Sequence, residues 1–363
     1  MRGVDVTQEA LFSTVHLESF VPKNHPLRSI RTLFNSAMKR INWLLDSAYS
    51  EYGRESIPPE RLLRALLLQV LFSVRSERQL MEQTRYNLLF RWFIGLSIDD
   101  PVWDHSTFSK NRDRLLEQDV IPALFEEVVE LARKENYLSR DHFSVDGTLI
   151  QAWASQKSFR PKAEDPDDSE GGGRNTESDF RGEKRLNETH ESTTDSDARN
   201  YKKSKGDKAK LSYMGHSVIE NRNGLVVKTR ATLASGCAER ETAIALLDDL
   251  PGKHRKTVGA DKHYDTRDFV ACCRKRKITP HVACNEKRKG GSAINGLTTR
   301  HKGYKTSMKI RKRVEEPFGW AKTIGLLRQV KVRGLALVND VVNLTFIGWN
   351  LIRMKNLQAQ SAQ

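Results

Sequence analysis

Two short runs of strand-forming residues, each followed directly by an aspartate, constrain the fold of this chain more than any other feature. Residues 143–145 precede Asp146, and residues 257–260 precede Asp261. Strand-forming residues hold the backbone extended and rigid, which fixes the side chain that follows. A helical pattern lies between the two runs, and a chain that alternates in this way packs as a layered α/β fold. The sequence therefore predicts two strands of one sheet, each ending at an acid.

The residue after Asp146 leaves two interpretations of the first run open. Gly147 permits close approach of another backbone or side chain. An Asp-Gly pair alone is typical of a hairpin turn. A metal ligand, in contrast, must be held to within a fraction of an ångström, which a strand end provides. The presence of a second strand-held acid at Asp261 favours the ligand interpretation.

A strongly basic segment, residues 309–322, contains a third acid. Arg311 lies four positions before Glu315, and Lys322 lies seven positions after it. Offsets of four and seven return to nearly one face of a helix. Glu315 is either a salt-bridged surface acid or the third member of a group with the two aspartates. Three carboxylates buried together without a cation are costly, so such a group predicts a metal site.

Pro317 restricts the helix that carries Glu315. A proline removes one helical hydrogen bond and bends or restarts the helix. The helix therefore either begins near Glu315 or runs from about Thr306 with a kink.

The three acidic segments together resemble DDE transposases of bacterial insertion sequences, in the InsH-like (insertion-sequence-five) group. The motifs that carry the resemblance are VDGT at 145–148, ADKHYD at 260–265, and the spacing of Arg311, Glu315 and Lys322. The family pattern around the glutamate is tyrosine, two residues, arginine, three residues, glutamate, six residues, lysine. The resemblance covers nearly the whole chain, because the N-terminal RSERQL, WFIGL and STFSKNRDR stretches also resemble the family.

The chain departs from the family pattern at one position. Met308 stands where the family has tyrosine, and Tyr304, one helical turn earlier, is the nearest substitute. The spacing to the arginine and lysine selects Glu315 rather than Glu316 as the family's glutamate.

The resemblance implies an α/β fold with an RNase H-like mixed sheet flanked by helices, preceded by an all-helical N-terminal domain. The expected boundaries are 1–135 for the helical domain, which binds DNA or assembles subunits, and 136–363 for the catalytic domain. A polar insertion at about 157–210 has 13 cations, 13 anions and few large apolar residues. Such a composition buries too little apolar surface to offset its ordering entropy, so most of it is predicted to be disordered.

The resemblance also implies a chemistry. Asp146, Asp261 and Glu315 would bind Mg²⁺, with Mn²⁺ as a substitute, while Arg311 and Lys322 would hold DNA phosphates. Two carboxylate-bound ions activate water or a 3′ hydroxyl and stabilise the leaving oxygen. The expected enzyme cleaves DNA at the ends of its mobile element and joins 3′ hydroxyls to target DNA. Two alternatives stay open: an RNase H-like nuclease that only hydrolyses, and a DNA-binding relative that has lost catalysis.

The charge of the chain independently predicts a polyanionic partner. Residues 253–313 contain 19 Lys and Arg against 4 Asp and Glu, an excess that equals the net charge of +15 for the whole chain. Cations concentrated in one region release counterions from nucleic acid, which favours double-stranded DNA as the partner. Because two DNA ends must be handled together, a homodimer is expected in the DNA complex.

The N-terminal region has a helical pattern with recognisable helix starts. Pro59 opens an apolar helix, Ser76 and Gln79 have the form of a capping box, and Ser106 is the predicted cap of a third helix. Short helices joined by tight turns allow a helix-turn-helix interpretation. That interpretation places three cations against DNA: Lys110, Arg112 and Arg114.

The location of the protein is predicted from what its sequence lacks. No apolar run reaches the ~18 residues typical of a membrane span, and the first residues do not have a signal-peptide layout. We therefore expect no membrane partner and a cytoplasmic protein, associated in a bacterium with the nucleoid.

Overall fold

The N-terminal part of the chain is helical wherever the structure describes it. This computed structural model describes residues 16–47, 56–162, 185–202, 206–287 and 290–361. The helices of this part are α1 (Leu17–Phe20), α2 (Pro26–Arg40), α3 (Asn42–Ser47), α4 (Pro59–Leu71), α5 (Glu77–Tyr86), α6 (Leu88–Ile94), α7 (His105–Glu117) and α8 (Val120–Lys134). The predicted all-helical N-terminal region is confirmed.

Two of the three predicted helix starts agree with the structure. Helix α4 begins at Pro59, and Ser76 Oγ accepts a hydrogen bond from Gln79 N at 3.2 Å at the start of α5. The predicted cap of α7 is wrong. Asp104, not Ser106, caps that helix, because its carboxylate oxygen accepts the Ser106 N–H at 2.8 Å. Both residue types are good caps, and the earlier one lies at the position where the helix begins.

The second part of the chain is built on a mixed sheet. The strands are β1 (His142–Gln151), β2 (Phe159–Pro161), β3 (His190–Ser192), β4 (Arg199–Tyr201), β5 (Lys210–Glu220), β6 (Val226–Leu233), β7 (Lys256–Ala260) and β8 (Ile278–Val282). In the main sheet, β6, β5 and β1 are antiparallel neighbours, and β1, β7 and β8 are parallel neighbours. This order is the RNase H-like arrangement that was predicted.

Strand β1, which carries Asp146, is longer than the sequence suggested. Asp146 is an inner residue of β1, where it pairs with Ser217 of β5, and the strand continues to Gln151. The predicted strand end at Asp146 is therefore wrong, and so is the hairpin-turn alternative. The reason is tertiary, because β5 supplies a continuous antiparallel partner for residues 143–151.

The remaining helices cover the sheet. They are α9 (Ala238–Asp248), α10 (Arg267–Lys275), α11 (Gly296–Thr299), α12 (Lys302–Ile310), α13 (Glu315–Thr323) and α14 (Leu335–Ser361). Helix α13 begins at Glu315 after a 3₁₀ turn over Arg311–Val314. Of the two alternatives for this helix, the start near Glu315 is correct. Pro317 lies in the first turn of α13. The N–H groups of a first turn have no acceptor within the helix, so a proline there costs no helical hydrogen bond.

Helix α14 joins the two parts of the chain. It packs on α2, α4 and α8 on one side and on β6 on the other, within one continuous apolar core. In the described part of the chain it is the one helix long and apolar enough to cross a membrane by length and composition, but 67% of its apolar window is buried inside the fold. Its apolar composition is thus used for core packing.

The polar insertion is more ordered than its composition predicted. Strands β2 and β3 pair with each other, and β4 pairs with β5. Asp195 is buried and accepts a hydrogen bond from the hydroxyl of Tyr213 at 2.6 Å. Backbone pairing and buried polar bonds thus replace the apolar burial that the segment lacks. The predicted disorder is wrong for these parts, and residues 163–184 and 203–205 lie outside the described residues.

Candidate active site

Asp146 lies within β1, and Asp261 directly follows β7, the parallel neighbour of β1. The parallel pairing of β1 with β7 ends at Ser144 and Gly259, and each aspartate lies two residues further along its chain. Side chains two residues apart on an extended chain point to the same face, and neighbouring strands lie roughly 4.8 Å apart. The two aspartates therefore lie near each other, and both carboxylates act on the phenol of Tyr264, although they are far apart in sequence.

Backbone amides orient both aspartates. Asp146 Oδ1 accepts a hydrogen bond from Gly147 N at 2.8 Å, and Asp261 Oδ1 accepts one from His263 N at 2.7 Å. Both carboxylates are partly buried. These bonds fix the direction in which each carboxylate points, which is what a metal ligand requires.

The buried phenol of Tyr264 lies among three acids. Tyr264 is 1% exposed, and its hydroxyl has no hydrogen-bond partner among the described residues. Burial raises the pKa of this phenol well above its ordinary value, and the charges of Asp146, Glu239 and Asp261 raise it further. An unpartnered buried hydroxyl costs about 1–3 kcal/mol. The phenol therefore stays neutral at pH 7 beside these acids.

Glu315 lies on an element that packs over the same face of the sheet. A β-carbon at Gly259 would lie 3.0 Å from both Ser144 Oγ and the β-carbon of Arg311. The 3₁₀ turn that begins at Arg311 therefore covers β1 and β7 beside the aspartates, and Glu315 follows it directly. Glu315 and Glu316 are both exposed. Glu315 is not among the acids that act on Tyr264.

The two predicted phosphate-binding cations lie in different surroundings. Arg311 is partly buried, and its Nε atom is buried without a hydrogen-bond partner among the described residues. An unsatisfied guanidinium nitrogen suits an anionic ligand such as a phosphate. Lys322, at the end of α13, lines a cavity between the helices and the sheet.

The donors present suit a hard divalent cation. Carboxylate oxygens are the ligands that Mg²⁺ and Mn²⁺ select, and Asp146, Asp261 and Glu315 supply three of them. Among the described residues, no group of three His, Cys, Asp or Glu side chains already stands in a metal-holding arrangement. Carboxylates repel one another when no cation lies between them. We therefore expect the group to close only around a bound ion.

One acid that the sequence analysis did not single out, Glu239, packs against Gly147, the residue after Asp146. It lies in the first turn of α9, which follows β6 and packs on β1. A β-carbon at Gly147 would lie 2.9 Å from Glu239 Cγ and 3.2 Å from Glu239 Oε1. The glycine beside Asp146 is thus the space that the Glu239 side chain fills. In the sequence, an acid at a helix start is ordinary, so no local signal marked it.

His216 borders the same space from β5. Its Nε2 atom is hydrogen-bonded to Thr232 Oγ1 at 2.7 Å, as expected for a strand histidine. Its Nδ1 atom is buried without a partner among the described residues and lies 3.2 Å from the β-carbon position of Gly147. Burial lowers the pKa of His216 to about 4, so the ring is neutral at pH 7.

A cavity of about 940 Å³ separates the N-terminal helices from the sheet. Lys331 Nζ lies 3.2 Å from the ring centroid of Trp153 at its wall, a cation–π contact. Cations outnumber acids on the described walls. The cations are Arg75, Arg112, Lys322, Arg328 and Lys331, and the acids are Glu77 and Asp340.

The three cations predicted to face DNA on α7 are not equivalent. Arg112 is ion-paired with Glu77 and, at 2.7 Å, with Asp113, and it lines the cavity. Lys110 and Arg114 are exposed on the surface of the helix. The structure therefore leaves two of the three on the outer surface and turns the third inward.

Two family models match the chain. Residues 138–351 match the model of a transposase DDE domain, and residues 15–114 match a transposase domain (DUF772). No curated protein matches the chain. Among solved structures, it is similar to piggyBac transposase in a synaptic complex with hairpin DNA, with TM-score 0.45, 10% identity and coverage of 93% of this chain and 76% of that one. It is also similar to Mos1 transposase in a paired-end complex with the left transposon end, with TM-score 0.19, 11% identity and coverage of 71% and 73%.

The family match spans more than half of the chain and includes all three predicted acids, Asp146, Asp261 and Glu315. The match to a second transposase domain covers most of the N-terminal helices. The chain therefore belongs to the DDE transposases of the insertion-sequence type.

Proposed function

We propose that this transposase binds the ends of its mobile element, cleaves DNA strands there and joins the 3′ hydroxyls to target DNA. Enzymes of the DDE family are polynucleotidyl transferases that depend on divalent metal ions. The observation that carries the proposal is the pair of aspartates that lie near each other, one within β1 and one directly after β7. Two carboxylates beside each other on a rigid sheet are the core of a metal-dependent phosphoryl-transfer site.

The chain's own residues have distinct roles in this proposal. Asp146, Asp261 and Glu315 would hold Mg²⁺, or Mn²⁺ in its place. Bound divalent ions supply Lewis acidity, which activates the attacking hydroxyl and stabilises the leaving oxygen. Arg311, with an unsatisfied guanidinium nitrogen beside the sheet, binds a phosphate near the scissile bond. Lys322, further along the same segment, binds another phosphate.

DNA binding rests on the charge of the chain and its distribution. Residues 253–313 carry an excess of 15 cations over anions. Arg311 is one of these cations, and Asp261 lies within the same segment. Exposed Lys110 and Arg114, with Arg112 at the cavity wall, add cations on the helical part. We propose that these cations hold the double-stranded ends of the element and the target, in a homodimer that handles two ends together. Such a protein would act at the nucleoid in the bacterial cytoplasm.

The proposal is tested by strand transfer. The substrate is a DNA end of the element that encodes this chain, pre-cleaved to expose its 3′ hydroxyl, with a plasmid target and Mg²⁺. We expect joined product with the wild type and a loss of about 100-fold or more with Asp146→Asn or Asp261→Asn. Asp141→Asn is the matched control, because Asp141 is an exposed aspartate just before β1.

The two rival functions give different results in the same experiment. A nuclease that only hydrolyses would cut DNA without forming any joined product. A relative that has lost catalysis would bind the end in a mobility-shift assay, with equal affinity for wild type and Asp146→Asn, but would neither cut nor join. Either result would refute the proposal.

A further inference from the structure

A pocket of about 330 Å³ lies beside the 3₁₀ turn that follows Asp261. Its walls come from three separate parts of the chain: helix α9, the turn with the residues before α10, and the loop after β8. The residues that line it are Arg240, Lys262, His263, Thr266, Asn285 and Lys287. The pocket has room for a phosphate group and several waters, each of ~30 Å³. It adjoins the candidate active site but contains none of the predicted metal ligands.

The walls of this pocket are basic. Arg240, Lys262 and Lys287 line it, and no Asp or Glu lines it among the residues that the structure describes. In the described part of the chain, none of these three cations forms a salt bridge. Cations on neighbouring elements do form them: Lys228 with Glu126, Arg230 with Asp249, and Arg276 with Asp248. Like charges that are held together repel one another, so the pocket favours an anionic ligand.

Hydrogen bonds hold the pocket in a fixed position relative to Asp261. Asp261 Oδ1 accepts the N–H of His263 at 2.7 Å, which ties the 3₁₀ turn to this aspartate. Asp265, which is fully buried at the end of the turn, accepts the N–H of Asn285 at 2.7 Å. The loop after β8 is therefore tied to the same turn, and the cations of both segments are held beside the site.

Arg240 reaches the pocket from α9 rather than from the basic segment of the chain. It is partly buried, and its Nη2 atom donates a hydrogen bond to the carbonyl oxygen of Gly236 at 3.3 Å. Burial raises the pKa of Tyr264, and the charge of Arg240 acts on that phenol in the opposite direction. Asp146 and Asp261 act on the same phenol, so Arg240 lies near both the pocket and the aspartates.

We propose that this pocket binds a backbone phosphate of the DNA strand that reacts at Asp146 and Asp261, next to the reacting phosphate. The inference rests on the proposed function and adds to it a phosphate site formed by Arg240, Lys262 and Lys287. Arginine and lysine form strong, charge-assisted hydrogen bonds with phosphate oxygens. Contacts of this kind fix the position of a protein along the strand and do not read its sequence. The pocket thus determines which phosphate lies at the two aspartates.

The first test is the salt dependence of DNA binding by the full-length chain without metal. The probe is a fluorescent duplex of the element's end, and anisotropy is measured from about 50 to 200 mM salt. Arg240→Ala and Lys262→Ala should each lower the slope of log K against log salt by about 0.9. Arg240→Lys retains the charge and should retain the wild-type slope. Arg140→Ala is the matched control, because it removes an exposed arginine just before β1, at the opposite end of the parallel strands from Asp261.

The second test locates the phosphate. Uncharged methylphosphonate linkages replace the phosphates one at a time in the strand that ends in the reacting 3′ hydroxyl. We expect the wild type to bind more weakly when one linkage within about three nucleotides of that end is replaced, a strand length of ~10 Å. The same replacement should have no further effect in Arg240→Ala, because two changes to one contact are not additive. Additive losses at every linkage would refute the pocket.

The outcomes separate this inference from the proposed function. A wild type that does not bind the duplex, or joins no ends in strand transfer, refutes the proposed function and the pocket with it. If the wild type binds and joins while Arg240→Ala and Lys262→Ala retain its slope, only the pocket is refuted. An equal fall in slope with Arg140→Ala would also refute it, since a general loss of charge would then explain the effect. Should Arg240→Ala fail to fold, Lys262→Ala decides, because Lys262 is exposed.

Discussion

Gly147 shows how one residue decides the shape of the candidate site. Its amide donates to Asp146 Oδ1, and its missing side chain leaves the space that Glu239 occupies. Glycine is used here for close approach rather than for an unusual backbone angle, because Gly147 lies inside the regular pairing of β1 with β5. The VDGT motif thus contains the predicted ligand Asp146 and a glycine against which Glu239 packs.

We predict that Gly147→Ala lowers the free energy of unfolding by about 1–3 kcal/mol, because the new methyl group collides with the Glu239 side chain. Urea unfolding measures the effect. Gly319→Ala is the matched control, since a β-carbon at Gly319 meets nothing within 4 Å. Equal free energies of unfolding for the two variants would show that the Glu239 side chain can move away from Gly147 without cost.

At the residue scale, sequence reasoning located the acids that follow strand-forming runs and missed those placed by tertiary packing. Asp146 and Asp261 were identified because the strands that hold them have a local signature. Glu239 and the unsatisfied nitrogen of His216 were not, since their positions depend on how α9 and β5 meet β1. No sequence pattern within α9 or β5 predicts its contact with β1.

At the element scale, a buried polar chain ties α12 to the sheet. Ser307 Oγ of α12 is hydrogen-bonded to His281 Nδ1 of β8 at 2.6 Å and to His142 Nε2 of β1 at 2.8 Å. Burial lowers the pKa of His281 to about 4 and also lowers the pKa of His142. These hydrogen bonds hold α12, the helix that leads into Arg311 and Glu315. The position of Glu315 therefore depends on the neutral imidazoles of His281 and His142.

We predict a pH-dependent contribution of His281 to stability. Its folded pKa of about 4 is lower than the unfolded value of about 6.5, so the unfolded chain binds the proton first. The contribution is therefore complete above pH 6.5 and is lost as the pH falls to about 4. The loss is at most about 3 kcal/mol.

Urea unfolding of wild type and His281→Asn at pH 7 and pH 5 measures this contribution. The free energy of unfolding should fall less between these pH values in the variant than in the wild type. His16→Asn replaces an exposed histidine and should retain the wild-type pH dependence. The same slope in His281→Asn and wild type would contradict the prediction.

The elements themselves were predicted to different degrees. The start of α13 follows from Pro317, which acts locally. The length of β1 and the order within residues 185–202 do not, because both depend on pairing with β5. A polar segment that pairs with an existing strand can be ordered without an apolar core of its own.

At the scale of the whole molecule, cations are concentrated where DNA would meet the site. Lys322 shares the walls of the large cavity with Arg328 and Lys331, between the helical part and the sheet. Composition predicted a polyanionic partner, but only the fold shows that these cations line one space together with Arg75 and Arg112 of the helical part.

We predict that Lys322→Ala reduces the salt dependence of DNA binding. Each lost phosphate contact should lower the slope of log K against log salt by about 0.9, with similar weakening for all sequences. Fluorescence anisotropy from 50 to 200 mM salt measures the slope. Lys39→Ala removes an exposed lysine from α2 and serves as the control. An unchanged slope for Lys322→Ala would exclude a phosphate contact at this residue.

Helix α14 has a mechanical consequence for the enzyme. It packs on α2, α4 and α8 and lies against β6. Helix α13, which begins at Glu315, also packs on α14, and residues 324–334 link the two helices. Ser73 of the helical layer donates a hydrogen bond to the carbonyl oxygen of Ile324 in this connection at 2.6 Å. A tilt of the helical layer as it grips DNA would pull on that connection. Binding of DNA and positioning of Glu315 would then occur in a single movement.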